Sequence, residues 1–254
     1  MKDVKGKISI IMPAYNESGI IEKNVHETVR TFKNFGVDFE IIVIDDGSTD
    51  ETWLKLKELE NKFSNIKVTR NMKNFGKGRA LKKGFRFAKG EYVVFLDSDI
   101  DLHPVQLETF FDIMKLDDAD VVIGSKRHPN SKLNYPLQRK IISFIYFSFV
   151  KLLFGMPIKD TQTGLKLFKY EVLRNVFPKV VVKSFAFDLE ILAYAHRLGY
   201  KITEAPVFID SKRQFSRIGI KDMLVTGIDT LLVFYRMFIA KSYDHVDDLD
   251  LEKE

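Results

Sequence analysis

The stretch VVFLDSDIDLHP, residues 93–104, carries an apolar run straight into three aspartates and then breaks at a proline. From Tyr92 to Leu96 every side chain is aromatic or aliphatic, the composition of a strand buried on both faces. Asp97, Asp99 and Asp101 follow at alternate positions, so in an extended chain their carboxylates project to one side and repel one another. A positive group is expected among them. Two readings fit. One is a solvated strand end capping the next helix, with Pro104 in that helix's first turn. The other is a hard divalent cation, Mg²⁺ or Mn²⁺, which takes one or two carboxylates together with the oxygens of a phosphorylated ligand.

Outward from this stretch the same build recurs. KISIIMP (7–13), FEIIVID (39–45), IKVTR (66–70), EYVVFLD (91–97) and ADVVIG (119–124) are short β-rich apolar runs that end in turn or polar residues. Helix-compatible segments lie between them at 19–35, 51–63, 77–88 and 105–114, with Ser48 and Asp50 offering caps ahead of the second. This alternation predicts an α/β fold: a doubly wound, mostly parallel sheet flanked by helices, with its ligand crevice at the carboxyl ends of the strands. PAYNE (13–17), DDGSTD (45–50), NFGKG (74–78) and DSDID (97–101) then converge on one rim. Each taken alone also reads as turn chemistry.

With 254 residues, 45% of them hydrophobic, the chain can bury one substantial core, and the expectation is a single domain over 1–243 followed by a solvated, disordered tail at 244–254. That tail holds six acids and one lysine, so a net charge of +5 leaves +10 on the rest. The absence of cysteine excludes disulfides, thiolate nucleophiles and Cys-ligated zinc. The five histidines, His26, His103, His128, His196 and His245, show no metal-ligand spacing. The opening MKDVKGKISI lacks the apolar core of a signal peptide, which predicts a cytoplasmic protein.

Past residue 125 the character changes. Residues 121–159 hold seven Lys or Arg and no acid, a gap that points to an anionic partner. YPLQRKIISFIYFSFVKLLFG (135–155) reads as a helix apolar nearly all round, and KDMLVTGIDTLLVFYRMFIAK (221–241) as one with a narrow stripe of Asp222, Thr226, Asp229 and Arg236. Both fit core helices that cover the sheet, and both fit amphipathic helices lying in a membrane interface beside a basic stretch. No uncharged apolar run reaches about 18 residues, so no membrane crossing is expected.

Taken together, IMPAYNE, VIDDGSTDET, NFGKGRAL, FLDSDIDLHP and DTQTGLKLF resemble family 2 of the glycosyltransferases, with the GT-A (Rossmann-like) fold. The polyprenyl- and dolichyl-phosphate sugar transferases are the more similar members, and KDTQTGLKLF with FAFDLEILAYA resembles the dolichyl-phosphate β-glucosyltransferase branch. The resemblance spans roughly residues 7–220. It implies a metal-dependent, inverting transfer of glucose from UDP-glucose to a polyprenyl or dolichyl phosphate, with the protein peripheral on the cytoplasmic face of a membrane. The alternatives are a GDP-mannose-dependent dolichyl-phosphate mannosyltransferase and a soluble family 2 transferase acting on a polysaccharide or protein sugar. A nucleotide sugar, a lipid phosphate and the membrane surface are the implied partners; nucleic acid is not.

Residue by residue, the resemblance implies that Asp97 and Asp99 form a DxD pair holding Mg²⁺ or Mn²⁺, with Asp101 a third ligand or a helix cap. Pro13, Ala14, Tyr15, Glu17 and Ser98 would line the nucleotide-sugar pocket in the 1–125 half, with Asp45 at the base or ribose and Lys77 at phosphate. The acceptor half, 126–243, would hold the lipid phosphate through Lys126 or Arg127, Arg139 with Ser143, and Arg213 or Arg217. Asp160 resembles an active-site aspartate of the family. Asp188 and Glu190 are read either as packing residues or as sugar contacts.

Overall fold

The computed structural model describes residues 1, 4–132, 137–182, 186–209 and 220–245, the side chains of 137–143, 220–224 and 244–245 excepted. Its centre is a sheet of seven strands in the order β3-β2-β1-β4-β6-β5-β7. The strands are β1 (Ile8–Ala14), β2 (Phe39–Asp45), β3 (Ile66–Arg70), β4 (Tyr92–Phe95), β5 (Val121–Ser125), β6 (Lys166–Lys169) and β7 (Ile202–Pro206). All pair in parallel except β6, which runs antiparallel to both β4 and β5.

The central strands are apolar on both faces because helices cover both. Alternate residues of β1 and β2 divide between two cores: Ile10, Met12, Ile41 and Val43 on one side, Ile11, Ile42 and Ile44 on the other. The first core is closed by α1 (Ile21–Phe35), α2 (Thr52–Lys62) and α4 (Leu107–Leu116), through Val25, Phe32, Leu56, Leu59 and Phe110. Opposite lie α3 (Lys77–Phe85), α5 (Leu137–Phe154), α6 (Tyr170–Val176), α7 (Phe187–Arg197) and α8 (Ile220–Phe234), through Phe85, Phe154, Leu173, Phe187 and Val233. A π-helical turn (Tyr235–Ile239) and the short α9 (Ser242–His245) follow α8.

The reversed strand has a positional consequence. Lys166, which opens β6, lies opposite Phe95 at the end of β4 and Ile123 near the end of β5. An antiparallel strand begins where its parallel neighbours finish. The loop entering β6, which contains Asp160 to Gly164, therefore reaches the same rim as the carboxyl ends of β1, β2 and β4.

Candidate active site

The first two strand exits are tied to each other through hydrogen bonds that their polar residues make obligatory. Asn16, in the left-handed region at φ 54°, donates its N–H to Ser48 Oγ (2.9 Å) and accepts from Thr49 N–H (2.8 Å). Glu17 N–H donates to Thr52 Oγ1 (2.8 Å), and Asp50 accepts from Ser18 N–H (3.1 Å) and Thr52 N–H (3.0 Å). Tyr15 stands exposed beside this cradle, with Ala14 buried and Pro13 half-buried.

Asp45, expected at base or ribose, is fully enclosed. Its Oδ1 accepts from Ser48 N–H (3.0 Å), and Arg70 Nε pairs with Oδ2 at 2.9 Å across the β2–β3 register. Its neighbour Asp46, which sequence reasoning passed over, holds the third exit in place: it accepts from Asn71 Nδ2 (2.7 Å), Phe75 N–H (3.1 Å) and Gly76 N–H (2.8 Å). Gly76, at φ 93°, turns the chain into α3, so Lys77 becomes the helix's first residue.

The aspartates do not continue β4 in extended form. The strand ends at Phe95, Ile100 N–H donates to Asp97 backbone O (3.0 Å), and Ile100 has φ 47°, a conformation costly for a β-branched residue. The alternation in sequence therefore does not line three carboxylates along one strand face. Among the described residues, no three His, Cys, Asp or Glu side chains gather as a metal-binding cluster. Ser98 is buried, and its carbonyl accepts from Asn24 Nδ2 (2.8 Å), which anchors the turn to α1. Asp99 Oδ1 accepts from the N–H of the exposed Asp101 (3.2 Å).

Asp97 instead meets a lysine. Lys77 Nζ lies 2.6 Å from its Oδ1, with the two side chains 33% and 41% exposed. Burial opposes ionisation of both groups, yet the pairing prevails. Lys77 is held above the usual lysine range, chiefly by Asp97, and Asp97 below the usual carboxylate range by Lys77 and then by Lys166 and Lys126. Behind them sits a second pair: the enclosed Lys166 ammonium bonds Asp188 Oδ1 (2.7 Å) and the Thr163 carbonyl. Burial pushes the Lys166 pKa down, and Asp188 pulls it back. Neither Lys166 nor the Asp188 pairing was anticipated; a lone lysine inside the apolar KLF run was the available signal.

Of the residues expected to meet an acceptor, the structure brings Asp160, Lys126 and Arg127 together. Asp160 Oδ2 accepts from Lys126 N–H (3.0 Å), and Asp160 N–H donates to Glu204 on β7 (3.0 Å). The Arg127 guanidinium rests over Phe147 (5.0 Å) and Phe144 (5.5 Å) of α5. Around these rings the surface is apolar and open: Phe144, Ile145 and Leu152 on α5, and Val225, Ile228, Leu231 and Leu232 on α8, are exposed. Tyr146 Oη and Thr230 Oγ1 (3.2 Å) join the two helices beneath. Arg139 and Ser143 fall within α5, but their side chains lie outside the described residues, as do Arg213 and Arg217 altogether. No helix among the described residues is long and apolar enough to cross a membrane.

Glu190 proves to be a packing residue. Fully buried, it accepts from Val181 N–H (3.1 Å), Val182 N–H (2.8 Å) and the Tyr243 hydroxyl, and burial raises its pKa.

The sequence signature of glycosyl transferase family 2 matches residues 9–177, which takes in every strand exit described above except that of β7. This chain belongs to glycosyltransferase family 2. As a family 2 glycosyltransferase it is 32% identical over 249 residues to dolichyl-phosphate beta-glucosyltransferase ALG5A of Trichomonas vaginalis, covering 93% of this chain and 76% of that protein. It is 28% identical to glycosyltransferase AglD of Haloferax volcanii over 92% of its own length but spans just 38% of AglD. Among solved structures, glucosyl-3-phosphoglycerate synthase from Mycobacterium tuberculosis in complex with Mn²⁺, UDP and phosphoglyceric acid superposes with a TM-score of 0.67 at 20% identity, covering 96% of this chain and 80% of that one. The sheet and its flanking helices are those of the GT-A fold.

Proposed function

We propose that this glycosyltransferase moves glucose from UDP-glucose to a polyprenyl or dolichyl-type phosphate, with inversion, while docked on the cytoplasmic face of a membrane. One observation carries the reading: Arg127 lies on Phe144 and Phe147, so the cationic cluster beside the acidic strand end runs directly into an exposed apolar face. An acceptor with a phosphate head and a hydrocarbon tail matches that junction. A free sugar hydroxyl gives no use to the apolar half. The family relative named for dolichyl phosphate and glucose favours the same substrates.

In this reading the 1–125 half binds the donor, with Pro13, Ala14, Tyr15 and Glu17 at the nucleotide and Lys77 at its phosphates. The oxygen donors of Asp97 and Asp99 on one turn suit Mg²⁺ or Mn²⁺, which binds through one or two carboxylates plus phosphate oxygens. When bound, such an ion supplies neutralisation of the charge that grows on the leaving diphosphate. Asp101, exposed beside them, donates its backbone N–H to Asp99 Oδ1, and its own carboxylate is a third ligand or a cap of the following helix.

The 126–243 half presents the acceptor. A phosphate monoester with a second pKa near 6 is mostly dianionic at neutral pH, so its oxygen attacks the anomeric carbon without a strong base. It requires positioning by cations, a role for Lys126 and Arg127 and, on α5 and beyond, Arg139 with Ser143 and Arg213 or Arg217. Asp160 fixes the Lys126 backbone and so sets where those cations stand. The open faces of α5 and α8 rest on the lipid, as interfacial amphipathic helices do.

The test is nucleotide release measured with UDP-glucose and with GDP-mannose, each with and without a polyprenyl phosphate. Release of UDP that depends on the lipid phosphate is expected. Release that depends on GDP-mannose, or on a soluble sugar acceptor, overturns the assignment.

A further inference from the structure

We propose that Lys77 and a divalent cation compete for the Asp97 carboxylate, so that the cation is taken up together with the donor's diphosphate and not ahead of it. The inference rests on the metal and nucleotide reading above. Its basis is that both oxygens of Asp97 already have neighbours. Oδ1 holds the Lys77 ammonium at 2.6 Å, and Oδ2 lies so close to Gly164 that a Cβ there would come within 1.9 Å of it. A cation that ligates Asp97 must displace the ammonium or share a carboxylate with it, and like charges so placed repel.

Two further carboxylates reach Lys77 with their field, Asp188 and then Asp99, and Asp99 is one that the cation itself would take. Asp188 is committed to Lys166 at 2.7 Å. Lys77, Lys126 and Lys166 balance Asp97, Asp99 and Asp188 in charge, so a cation arriving alone leaves an excess of positive charge in a partly enclosed site. A diphosphate supplies the missing negative charge. Lys77 opens α3 and is one-third exposed, so its ammonium can swing from Asp97 to a phosphate held at the helix N-terminus without becoming a buried, unpaired charge. Two ligands that favour the same rearrangement bind with positive coupling, and the coupling is reciprocal.

The experiment is Mn²⁺ binding to the full chain, followed by the electron paramagnetic resonance signal of the free ion, with and without UDP. Wild type, Lys77→Met, Lys77→Gln and Lys77→Arg are compared. In wild type UDP is expected to tighten Mn²⁺ binding by about 5-fold or more. Both neutral variants should bind Mn²⁺ alone at least about 5-fold more tightly than wild type and show a smaller response to UDP. Lys77→Arg, which keeps a cation on Asp97, should retain the weak binding of Mn²⁺ alone. Equal Mn²⁺ affinity of wild type with and without UDP overturns the proposal whether or not the variants fold. Neutral variants with wild-type affinity overturn it too, and in that case the metal reading stands. If no protein binds Mn²⁺ even with UDP, the proposal and the reading beneath it fall together.

Discussion

Lys166 and Asp188 form an ion pair of 2.7 Å with both side chains enclosed, bridging β6 to the first turn of α7. Removing one partner of such a pair strands the other charge in a poorly solvated place. Asp188→Leu or Lys166→Met alone is expected to cost about 3–5 kcal/mol of folding stability. The double variant should be less destabilised than the sum of the two. Urea unfolding of all four proteins measures this; additive losses would show that the two charges are not coupled.

Gly164 allows the β6 loop to approach Asp97, since an added Cβ would lie 1.9 Å from Asp97 Oδ2. Gly164→Ala should therefore shift the carboxylate and reduce turnover by at least about ten-fold, equivalent to a loss of roughly 1.4 kcal/mol in transition-state stabilisation. Far-UV dichroism should be unchanged. Wild-type turnover in the variant would mean that Asp97 has no need of its present position.

Asp120 accepts from Lys169 Nζ (2.8 Å) and Lys201 N–H (2.9 Å), joining the starts of β5 and β7 to the end of β6. Burial works against its ionisation, but the bonds from Lys169 and Lys201 prevail and lower its pKa, while the same bond raises that of Lys169. The carboxylate's contribution is thus complete above its ordinary 3.8 and is lost as pH falls through the lower folded value. The Lys169 contribution is complete below 10.5 and is lost as pH rises through the raised folded value. Asp120→Asn should lose about 1 kcal/mol at neutral pH, discounted for partial exposure. The difference from wild type should shrink as pH falls below 3.8. A gap that is constant across chemical unfolding at several pH values would contradict the pairing.

Ile228 and Leu231 project from α8 into the open apolar face. If that face rests on lipid, Ile228→Asn with Leu231→Asn removes two insertions worth about 1.5 kcal/mol or more each. Flotation with anionic liposomes should then fall by at least about ten-fold. Unchanged flotation would place the lipid contact elsewhere.

How legible all this was in the sequence follows from what each segment had to satisfy. Strands β1, β2, β4 and β5 could be read because each is buried on both faces and so is largely apolar along its length, and the edge strand β3 because buried Ile66 and Val68 alternate with exposed Lys67. β6 and β7 escaped notice. β6 has four residues and begins with a buried lysine, and ITEAP of β7 has little apolar character. Their directions are set by tertiary pairing, which no local pattern records. The antiparallel entry of β6 is what carries Asp160 and Gly164 to the rim, so the sequence pointed to Asp160 by resemblance without a reason for its location. In the same way DDGSTD drew attention to Asp45, whereas Asp46 is the residue that organises the 74–76 turn, a role visible in three hydrogen bonds from distant positions. Lys77 was expected at phosphate; its ion pair with Asp97 depends on how α3 packs across the sheet, with Gly78 close against Phe187.

The most direct test supplies radiolabelled UDP-glucose, a polyprenyl phosphate and Mn²⁺, and follows the label into the organic phase for wild type and for Asp99→Asn. The expected result is labelled lipid from wild type that vanishes on chelation, and none above background from Asp99→Asn with its fold intact. Labelled lipid formed equally well by Asp99→Asn, or in the presence of chelator, would contradict the account.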